Sequence, residues 1–297
     1  MFNKERFVAQ FKYSLSWFRA RYQDFRLYDL GSYTLNRLTS RRGYQLQQHI
    51  AYGLKSRQRF DLFKTDHPRP QRPCLVFVHG GAWMHGDKKD YRFIGEAFAK
   101  EGFDVVLINY HLAPDHIFPA FIDDLHLALN YLSQHSQKLG ISMQNVILMG
   151  HSAGAFNVMS VLYHPSLYRL TCKAQIQAVI GLAGPYHFDY FGDPLCEEAF
   201  DQSVSYKKVM PYYFVEKNHI RHYLFKAEND QIVGEVNADD FDRMLKEKGN
   251  HSQILTVPKV GHITILGSVA SLFERYFQTK KMILKVLDET LEQHSSL

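Results

Sequence analysis

The chain has 297 residues, of which 45% are hydrophobic and 22% are charged. This is the composition of an ordinary globular protein, so a disordered, collagen-like or coiled-coil chain is excluded. No run of about 18 apolar residues occurs, which predicts that no helix crosses a membrane. The three cysteines, Cys74, Cys172 and Cys196, cannot form a disulfide framework, and they suit a reducing, cytoplasmic location.

The net charge of +5 is concentrated at the N-terminus. Residues 1–43 hold nine Lys and Arg against three acidic residues, whereas the rest of the chain holds 26 basic and 27 acidic residues. A nucleic-acid-binding domain carries a basic face or stripe. The balanced charge of the main body therefore predicts that the protein has no nucleic-acid partner.

Residues 1–45 are predicted to form a basic amphipathic helical arm. Apolar residues recur at helical spacing with Lys and Arg between them, at Phe7, Phe11, Leu15 and Phe18. The arm lacks the continuous apolar centre and the small-residue cleavage site of a signal peptide. Two placements are open: the arm packs on the main domain, or it lies on an anionic membrane surface and makes the protein peripheral to a membrane.

Residues 46–297 are predicted to form one domain of alternating strands and helices. The strands are expected at Phe60–Phe63, Leu75–Val78, Val105–Tyr110, Val146–Met149, Ala178–Leu182, Tyr223–Lys226 and Ile254–Val257. Several are almost wholly apolar, as parallel strands buried on both faces are. Helices are expected at Tyr91–Lys100, Phe121–His135, Ala155–Tyr163 and 235–249. The alternation predicts an α/β fold with a mostly parallel central sheet and helices on both faces.

Residues 185–221 interrupt this alternation and are predicted to form a short cap, or lid, over the sheet. They have no clear period and are rich in aromatic residues, namely Tyr186, Phe188, Tyr190, Phe191, Tyr212, Tyr213 and Phe214. These side chains suit the wall of an apolar or aromatic substrate pocket. The alternative is that they only pack the cap onto the sheet.

A candidate nucleophile, Ser152, follows the strand that contains Val146–Met149. It is the centre of Gly150-His151-Ser152-Ala153-Gly154, and a helix of small and apolar residues comes next. Such a strand-to-helix turn is strained, and only glycines leave room for it. The turn lifts the serine hydroxyl above the sheet and points unpaired helix N–H groups at the position where negative charge would form.

A second glycine turn follows the strand that contains Leu75–Val78, in the run His79-Gly80-Gly81-Ala82-Trp83. Acyl transfer needs backbone N–H donors that face the developing oxyanion, and a Gly-Gly turn lets bare main chain approach a ligand. The expected oxyanion hole consists of the N–H groups of Gly81 and Ala82, with that of Ala153 after the nucleophile.

Serine needs a histidine base, which is held in turn by a carboxylate. In a sheet of this kind the acid and the base follow the serine, in loops after later strands. Asp230 and His262 occupy equivalent loops after two successive strands. Glu228 and Asp193 are alternative acids. The 16 histidines show no metal-ligand spacing, so neither a metal nor a cofactor is expected.

Together these residues resemble the α/β-hydrolase superfamily, and most of all its esterase and lipase branch, which includes hormone-sensitive-lipase-like and kynurenine-formamidase-like enzymes. The matching segments are HGGAW, NYHLAPDHIFPAFIDDL, GHSAGA, IGLAGPYHF, AENDQIV and VGHITI, in family order. The resemblance implies an α/β-hydrolase fold with Ser152 as nucleophile, Asp230 as orienting acid and His262 as base. Asp123 and Asp124 also match a family motif, where capping or holding a loop is the expected role.

The predicted function is that of a serine hydrolase, a carboxylesterase or lipase-like enzyme that cleaves a small-to-medium carboxylic ester through an acyl-enzyme. An amidase of the aryl-formamidase type is the alternative enzyme. A non-catalytic ligand-binding module with the hydrolase fold is the alternative from another class. The expected partner is a small-molecule ester or amide, and both a monomer and a homodimer remain open.

Overall fold

A computed structural model of the protein describes residues 33–164 and 170–294. Most of the predicted N-terminal arm, and with it any contact of the arm with a membrane, lies outside these residues. The described part of the arm has a helical turn over residues 33–38, and the first strand begins at Tyr44, just before the predicted start of the main domain. Within the described ranges, no helix is long and apolar enough to cross a membrane.

The fold is built on an eight-stranded sheet with the order β1-β2-β4-β3-β5-β6-β7-β8. β2 runs antiparallel to its neighbours β1 and β4, and the pairs from β4 to β8 are parallel. The strands are β1 (Tyr44–Ala51), β2 (Arg59–Thr65), β3 (Cys74–Val78), β4 (Asp104–Ile108), β5 (Val146–His151), β6 (Ile176–Leu182), β7 (Arg221–Ala227) and β8 (Ser252–Val257). Each of the seven predicted strands corresponds to one of β2–β8.

Four central strands, β3 to β6, are buried along their whole length. Because successive side chains of a strand point to opposite faces, each of these strands contributes to two cores. In β3, Val76 packs in the core on one face, whereas Leu75 and Phe77 pack in the core on the other. The nearly continuous apolar runs in the sequence follow directly from this two-sided burial.

Helices cover both faces of the sheet. They are α1 (Arg92–Ala99), α2 (Ala120–Leu139), α3 (Ala153–Tyr163), α4 (Val236–Glu247), the short α5 (Thr264–Gly267) and α6 (Thr279–His294). The buried residues of α2, α3 and α4 join one core, and those of α1, α5 and α6 join the other. The predicted α/β-hydrolase fold, with a mostly parallel sheet between two helical layers, is confirmed.

The predicted cap lies between β6 and β7 and consists of loops with three short 3₁₀ turns. Its predicted last residue, Arg221, is already the first residue of β7. The cap is attached to α4 at its start: the Asn237 side-chain oxygen accepts hydrogen bonds from the backbone N–H groups of Tyr186 and His187, both at 3.0 Å. The helix that holds the start of the cap, α4, thus directly follows the loop that carries Asp230.

Candidate active site

Ser152 lies at the turn between β5 and α3, with φ 52° and ψ −121°. This is a conformation that side chains rarely adopt, and the two flanking glycines make it possible. A Cβ atom on Gly154 would lie 2.0 Å from the backbone oxygen of Val78, and one on Gly150 would lie 2.2 Å from the oxygen of Gly154. The close contact of β3, β5 and α3 explains why both positions need glycine.

The structure brings Ser152, His262 and Asp230 together in one hydrogen-bonded chain. The Nε2 atom of His262 lies 2.9 Å from the Ser152 Oγ, and its Nδ1 atom lies 2.9 Å from the Asp230 Oδ2. The other oxygen of Asp230 accepts the backbone N–H groups of Ile232 at 2.8 Å and Val233 at 3.0 Å. These two bonds fix the carboxylate, which in turn orients the imidazole.

The environment keeps Asp230 ionised. Burial raises the pKa of this carboxyl, but the hydrogen bond and charge of His262 and the two backbone N–H donors outweigh it and hold the pKa below its ordinary value. His262 is 6% exposed. A buried carboxylate on Nδ1 favours the tautomer that carries its proton there, which leaves the Nε2 lone pair free to accept the serine proton.

The two alternative acids do not contact His262. The Glu228 Oε2 accepts the backbone N–H of Lys259 at 2.7 Å, which ties the end of β7 to the loop after β8. The Asp193 Oδ1 accepts the backbone N–H of Leu195 at 3.0 Å, within the cap. Of the three carboxylates considered from sequence, Asp230 is therefore the one in position to orient the imidazole.

The predicted oxyanion residues lie beside the serine. Ala82, Ser152 and His262 line the same cavity. Gly81 and Ala82 have φ of 119° and 51°, and the Gly81 carbonyl accepts the N–H groups of Met84 and His85, which closes the turn. Within residues 33–164 and 170–294, the N–H groups of Gly81, Ala82 and Ala153 donate no hydrogen bond to the protein. They are available to a ligand.

Two histidines beside these turns are buried and uncharged. The His79 Nδ1 lies 2.8 Å from the Gly80 oxygen, and burial lowers the pKa of His79 to about 4. The His151 Nε2 lies 2.8 Å from the His262 backbone oxygen, and burial lowers the pKa of His151 to about 3. The two contacts hold the loops in place, and the His151 contact fixes the backbone of His262.

Asp123 and Asp124 lie inside α2, which begins at Ala120, so neither is the residue that caps its N-terminus. Asp124 instead holds a loop: its carboxylate accepts the backbone N–H of His111 and contacts the His111 Nδ1, both at 2.6 Å, and it accepts the Gln58 side-chain amide at 2.9 Å. The expected loop-holding role therefore fits the geometry of Asp124, and the capping role does not.

A buried ion pair beside the glycine turn was not predicted. The Lys88 Nζ lies 2.8 Å from the Asp61 Oδ1, and the two side chains are 1% and 0% exposed. The Lys88 N–H also donates to the Asn109 side-chain oxygen at 2.6 Å. These contacts anchor the segment after Trp83 to β2 and to the end of β4. Lys88 and Asp61 are far apart in sequence and lie outside the matching family segments quoted above, so the sequence held no signal for this ion pair.

A cavity of about 120 Å³ opens at Ser152. Its apolar and aromatic wall includes Trp83, Phe188 and Leu195, and the loop after Asp230 adds further residues. Of the seven cap aromatics predicted for this wall, Phe188 lines the cavity, whereas Tyr186 and Tyr190 are buried in packing and Phe191 is 74% exposed. The described residues contain no group of three or more His, Cys, Asp or Glu side chains placed to hold a metal.

The fold and this site define the class of the protein as an α/β-hydrolase, and comparison with known proteins gives the family. The model of the BD-FAE family matches residues 60–245, and the chain belongs to that family. The matched residues include Ser152 and Asp230, and His262 lies beyond them. The resemblance to the esterase and lipase branch is thereby confirmed.

Two relatives match the chain in sequence at 28% and 26% identity. A kynurenine formamidase of Drosophila melanogaster is 28% identical over 149 residues, which are 50% of this chain and 48% of the relative. A probable isoprenylcysteine alpha-carbonyl methylesterase of Oryza sativa subsp. japonica is 26% identical over 183 residues, which are 58% of this chain and 44% of the relative. The chain thus spans about half the length of these relatives.

Two solved structures show the same fold over most of the chain. An inhibited form of esterase B from Lactobacillus rhamnosis has a TM-score of 0.77 at 17% identity, and the match covers 95% of this chain and 98% of that one. Esterase 2 from Thermogutta terrifontis has a TM-score of 0.66 at 20% identity, covering 85% of this chain and 92% of that one.

Proposed function

We propose that the protein is a serine hydrolase that cleaves a small carboxylic ester through an acyl-enzyme intermediate. The observation that carries the proposal is the hydrogen-bonded chain from Asp230 through His262 to Ser152, which ends at an apolar cavity. A serine oxygen paired with an imidazole that a buried carboxylate orients is the arrangement that nucleophilic acyl transfer requires.

In the first half-reaction, the His262 Nε2 takes the proton of the Ser152 hydroxyl as the oxygen attacks the substrate carbonyl. The carbonyl oxygen becomes negative and is stabilised by the N–H groups of Gly81, Ala82 and Ala153. The protonated imidazole then gives its proton to the departing alcohol. Water releases the acyl group by the same steps, with His262 again acting as base.

The site stabilises both charges that form during the reaction, the positive charge on the imidazolium and the negative charge on the substrate oxygen. Asp230 stays ionised and stabilises the imidazolium that forms on His262, because the two side chains are buried and in direct contact. α3 begins at Ala153, directly after Ser152, so the positive end of its dipole lies next to the serine at which the negative charge would form. The negative charge of the intermediate therefore develops next to fixed positive dipoles, and the positive charge develops next to a carboxylate.

The size of the cavity supports a small acyl or leaving group. An apolar cavity of about 150 Å³ holds a benzene molecule, and the cavity at Ser152 has a volume of about 120 Å³. A short acyl chain fits this space, whereas a long fatty-acyl chain would have to extend beyond it. A formyl group fits as well, and one relative is named a kynurenine formamidase, so hydrolysis of an aryl formamide is the second candidate.

A panel of substrates separates the two candidates. We expect kcat/KM to be highest for p-nitrophenyl acetate or butyrate and to fall at least tenfold for the octanoate, because the longer chain cannot be enclosed. N-formyl arylamines in the same panel should react more slowly than the short esters. A formyl arylamine that reacts faster than every ester would favour the formamidase, and an enzyme inert to the whole panel would contradict both candidates.

A further inference from the structure

We propose that Asp193 makes the site selective for esters that carry a positive charge, such as an ammonium group, in the part of the substrate that enters the cavity. This inference rests on the proposed ester hydrolysis and names the substrate class of the same cavity. The chemistry comes from a carboxylate that lines the same cavity as two aromatic side chains, and from further acidic residues of the same segment.

Asp193 brings an uncompensated negative charge to the cavity. The described side chains that line the cavity include three ionisable groups, namely Asp193, His262 and Cys196. That cysteine, Cys196, is a neutral thiol, because burial and the neighbouring Asp193 raise its pKa. The Asp193 Oδ1 accepts the backbone N–H of Leu195 at 3.0 Å. This donor is uncharged, so it does not neutralise the carboxylate.

Aromatic side chains line the same cavity as this carboxylate. Trp83 and Phe188 both line the cavity, and their ring centroids lie 6.4 Å apart with an interplanar angle of 17°. Trp83 is only 3% exposed and also stacks on Phe121, whereas Phe188 is half-buried, so Phe188 is the ring that a cation in the cavity would contact. Aromatic rings attract a cation through the ring quadrupole, most strongly where water is excluded. A carboxylate combined with aromatic faces is a setting in which an ammonium group is stabilised and an anionic group is repelled.

The first part of the cap, which contains Asp193, is acidic. Residues 185–206 contain five acidic residues and neither Lys nor Arg, and the four Lys and Arg residues of the cap all lie within residues 207–221; the acids are Asp189, Asp193, Glu197, Glu198 and Asp201. Among the residues that the structure describes, none of the five forms an ion pair. Charge of one sign around a cleft concentrates counter-charged substrates and acts at low ionic strength over distances of tens of ångströms.

Pairs of esters with the same shape and different charge test the inference. The first pair is acetylcholine and 3,3-dimethylbutyl acetate, and the second is the p-nitrophenyl esters of 4-(trimethylammonio)butanoic acid and 5,5-dimethylhexanoic acid. We expect the wild-type kcat/KM for the cationic member of at least one pair to exceed that of the neutral member by about tenfold. The monoanionic p-nitrophenyl glutarate should be the poorest acyl substrate.

The variant Asp193→Asn keeps the size of the side chain and removes its charge. It should reduce the cationic preference, which is the ratio of kcat/KM for the cationic and the neutral member of a pair, to about one. The matched control is Glu198→Gln, an exposed acid of the same segment that does not line the cavity. Its effect should be less than twofold and should vanish at high salt.

The outcomes separate this inference from the proposed function. Hydrolysis of the neutral esters with no cationic preference in the wild-type protein would overturn the inference and leave the esterase assignment intact. A preference that persists unchanged in Asp193→Asn would also overturn it. If the variant folds poorly, the wild-type comparison still decides. Absence of hydrolysis for every ester would instead contradict the proposed function.

Discussion

Replacement of Ser152 by alanine is expected to lower kcat for p-nitrophenyl butyrate by about 10⁶-fold. The reason is that no acyl-enzyme can form without the hydroxyl, so that the imidazole and the oxyanion donors can at best assist direct attack by water. The measurement is steady-state hydrolysis with purified protein, together with the thermal unfolding midpoint. Alanine removes only one oxygen at this turn, so the midpoint should change by no more than a few degrees.

Ser160→Ala is the matched control for this change. Ser160 lies on the same helix, α3, is fully buried, and its hydroxyl has no hydrogen-bond partner in the described residues. The identical chemical change should therefore leave kcat close to the wild-type value. A Ser152→Ala protein that retains near-normal esterase activity would refute the assignment of the nucleophile.

Replacement of Asp230 by asparagine should lower kcat by about 10⁴-fold. The asparagine oxygen can still accept the N–H groups of Ile232 and Val233, which the Asp230 Oδ1 accepts now. Its NH₂ group then faces the His262 Nδ1 and favours the tautomer with the proton on Nε2. That tautomer cannot take the proton of Ser152, and the imidazolium loses its counter-charge.

Glu228→Gln is the control for Asp230→Asn, because it tests the alternative acid with the same change. Glutamine can still accept the Lys259 N–H that Glu228 accepts now, so the loop that leads to His262 should keep its position. We expect kcat within threefold of the wild-type value. A large loss in Glu228→Gln with little loss in Asp230→Asn would show that the orienting acid has been assigned to the wrong residue.

The sheet could be predicted from sequence largely because its central strands are buried on both faces. Their apolar runs are interrupted by polar turns, which gives each strand a visible length. The prediction for β4 was two residues too long, since Asn109 and Tyr110 lie beyond the strand. Their backbone leaves the sheet where the Asn109 side chain binds the backbone of Lys88 and the carboxylate of Asp87. This is tertiary contact that hydrophobicity does not record.

Two elements, the edge strand β1 and the helix α6, were not predicted from the hydrophobic pattern. β1 is an edge strand whose residues are mostly exposed, with a register shift between Gln47 and Ile50, so that its apolar alternation is weak. The pattern of apolar runs therefore did not predict β1 as a strand. α6 was missed, although Ile283, Val286 and Leu287 recur at helical spacing and are buried. That spacing was a sufficient signal for a helix packed on the sheet.

The three residues proposed for catalysis were accessible to sequence reasoning because each follows a strand at the same edge of a parallel sheet. The walls of the cavity were not. Whether a cap aromatic lines the cavity or packs below it depends on loop geometry, and no feature of the sequence distinguishes Phe188 from Tyr186 in this respect. The position of Asp193 in the wall likewise depends on the fold of the cap, and in sequence it could be considered only as an alternative acid.

We infer that Ser152 is a nucleophile activated by His262 and Asp230. This role can be tested by treating the wild-type protein with a fluorophosphonate probe and locating the adduct by mass spectrometry of its peptides. We predict one phosphonyl group per chain on the Oγ of Ser152, with loss of hydrolysis in proportion to labelling and no adduct in Ser152→Ala. An adduct on another residue, or full activity after Ser152 has been labelled completely, would contradict the claim.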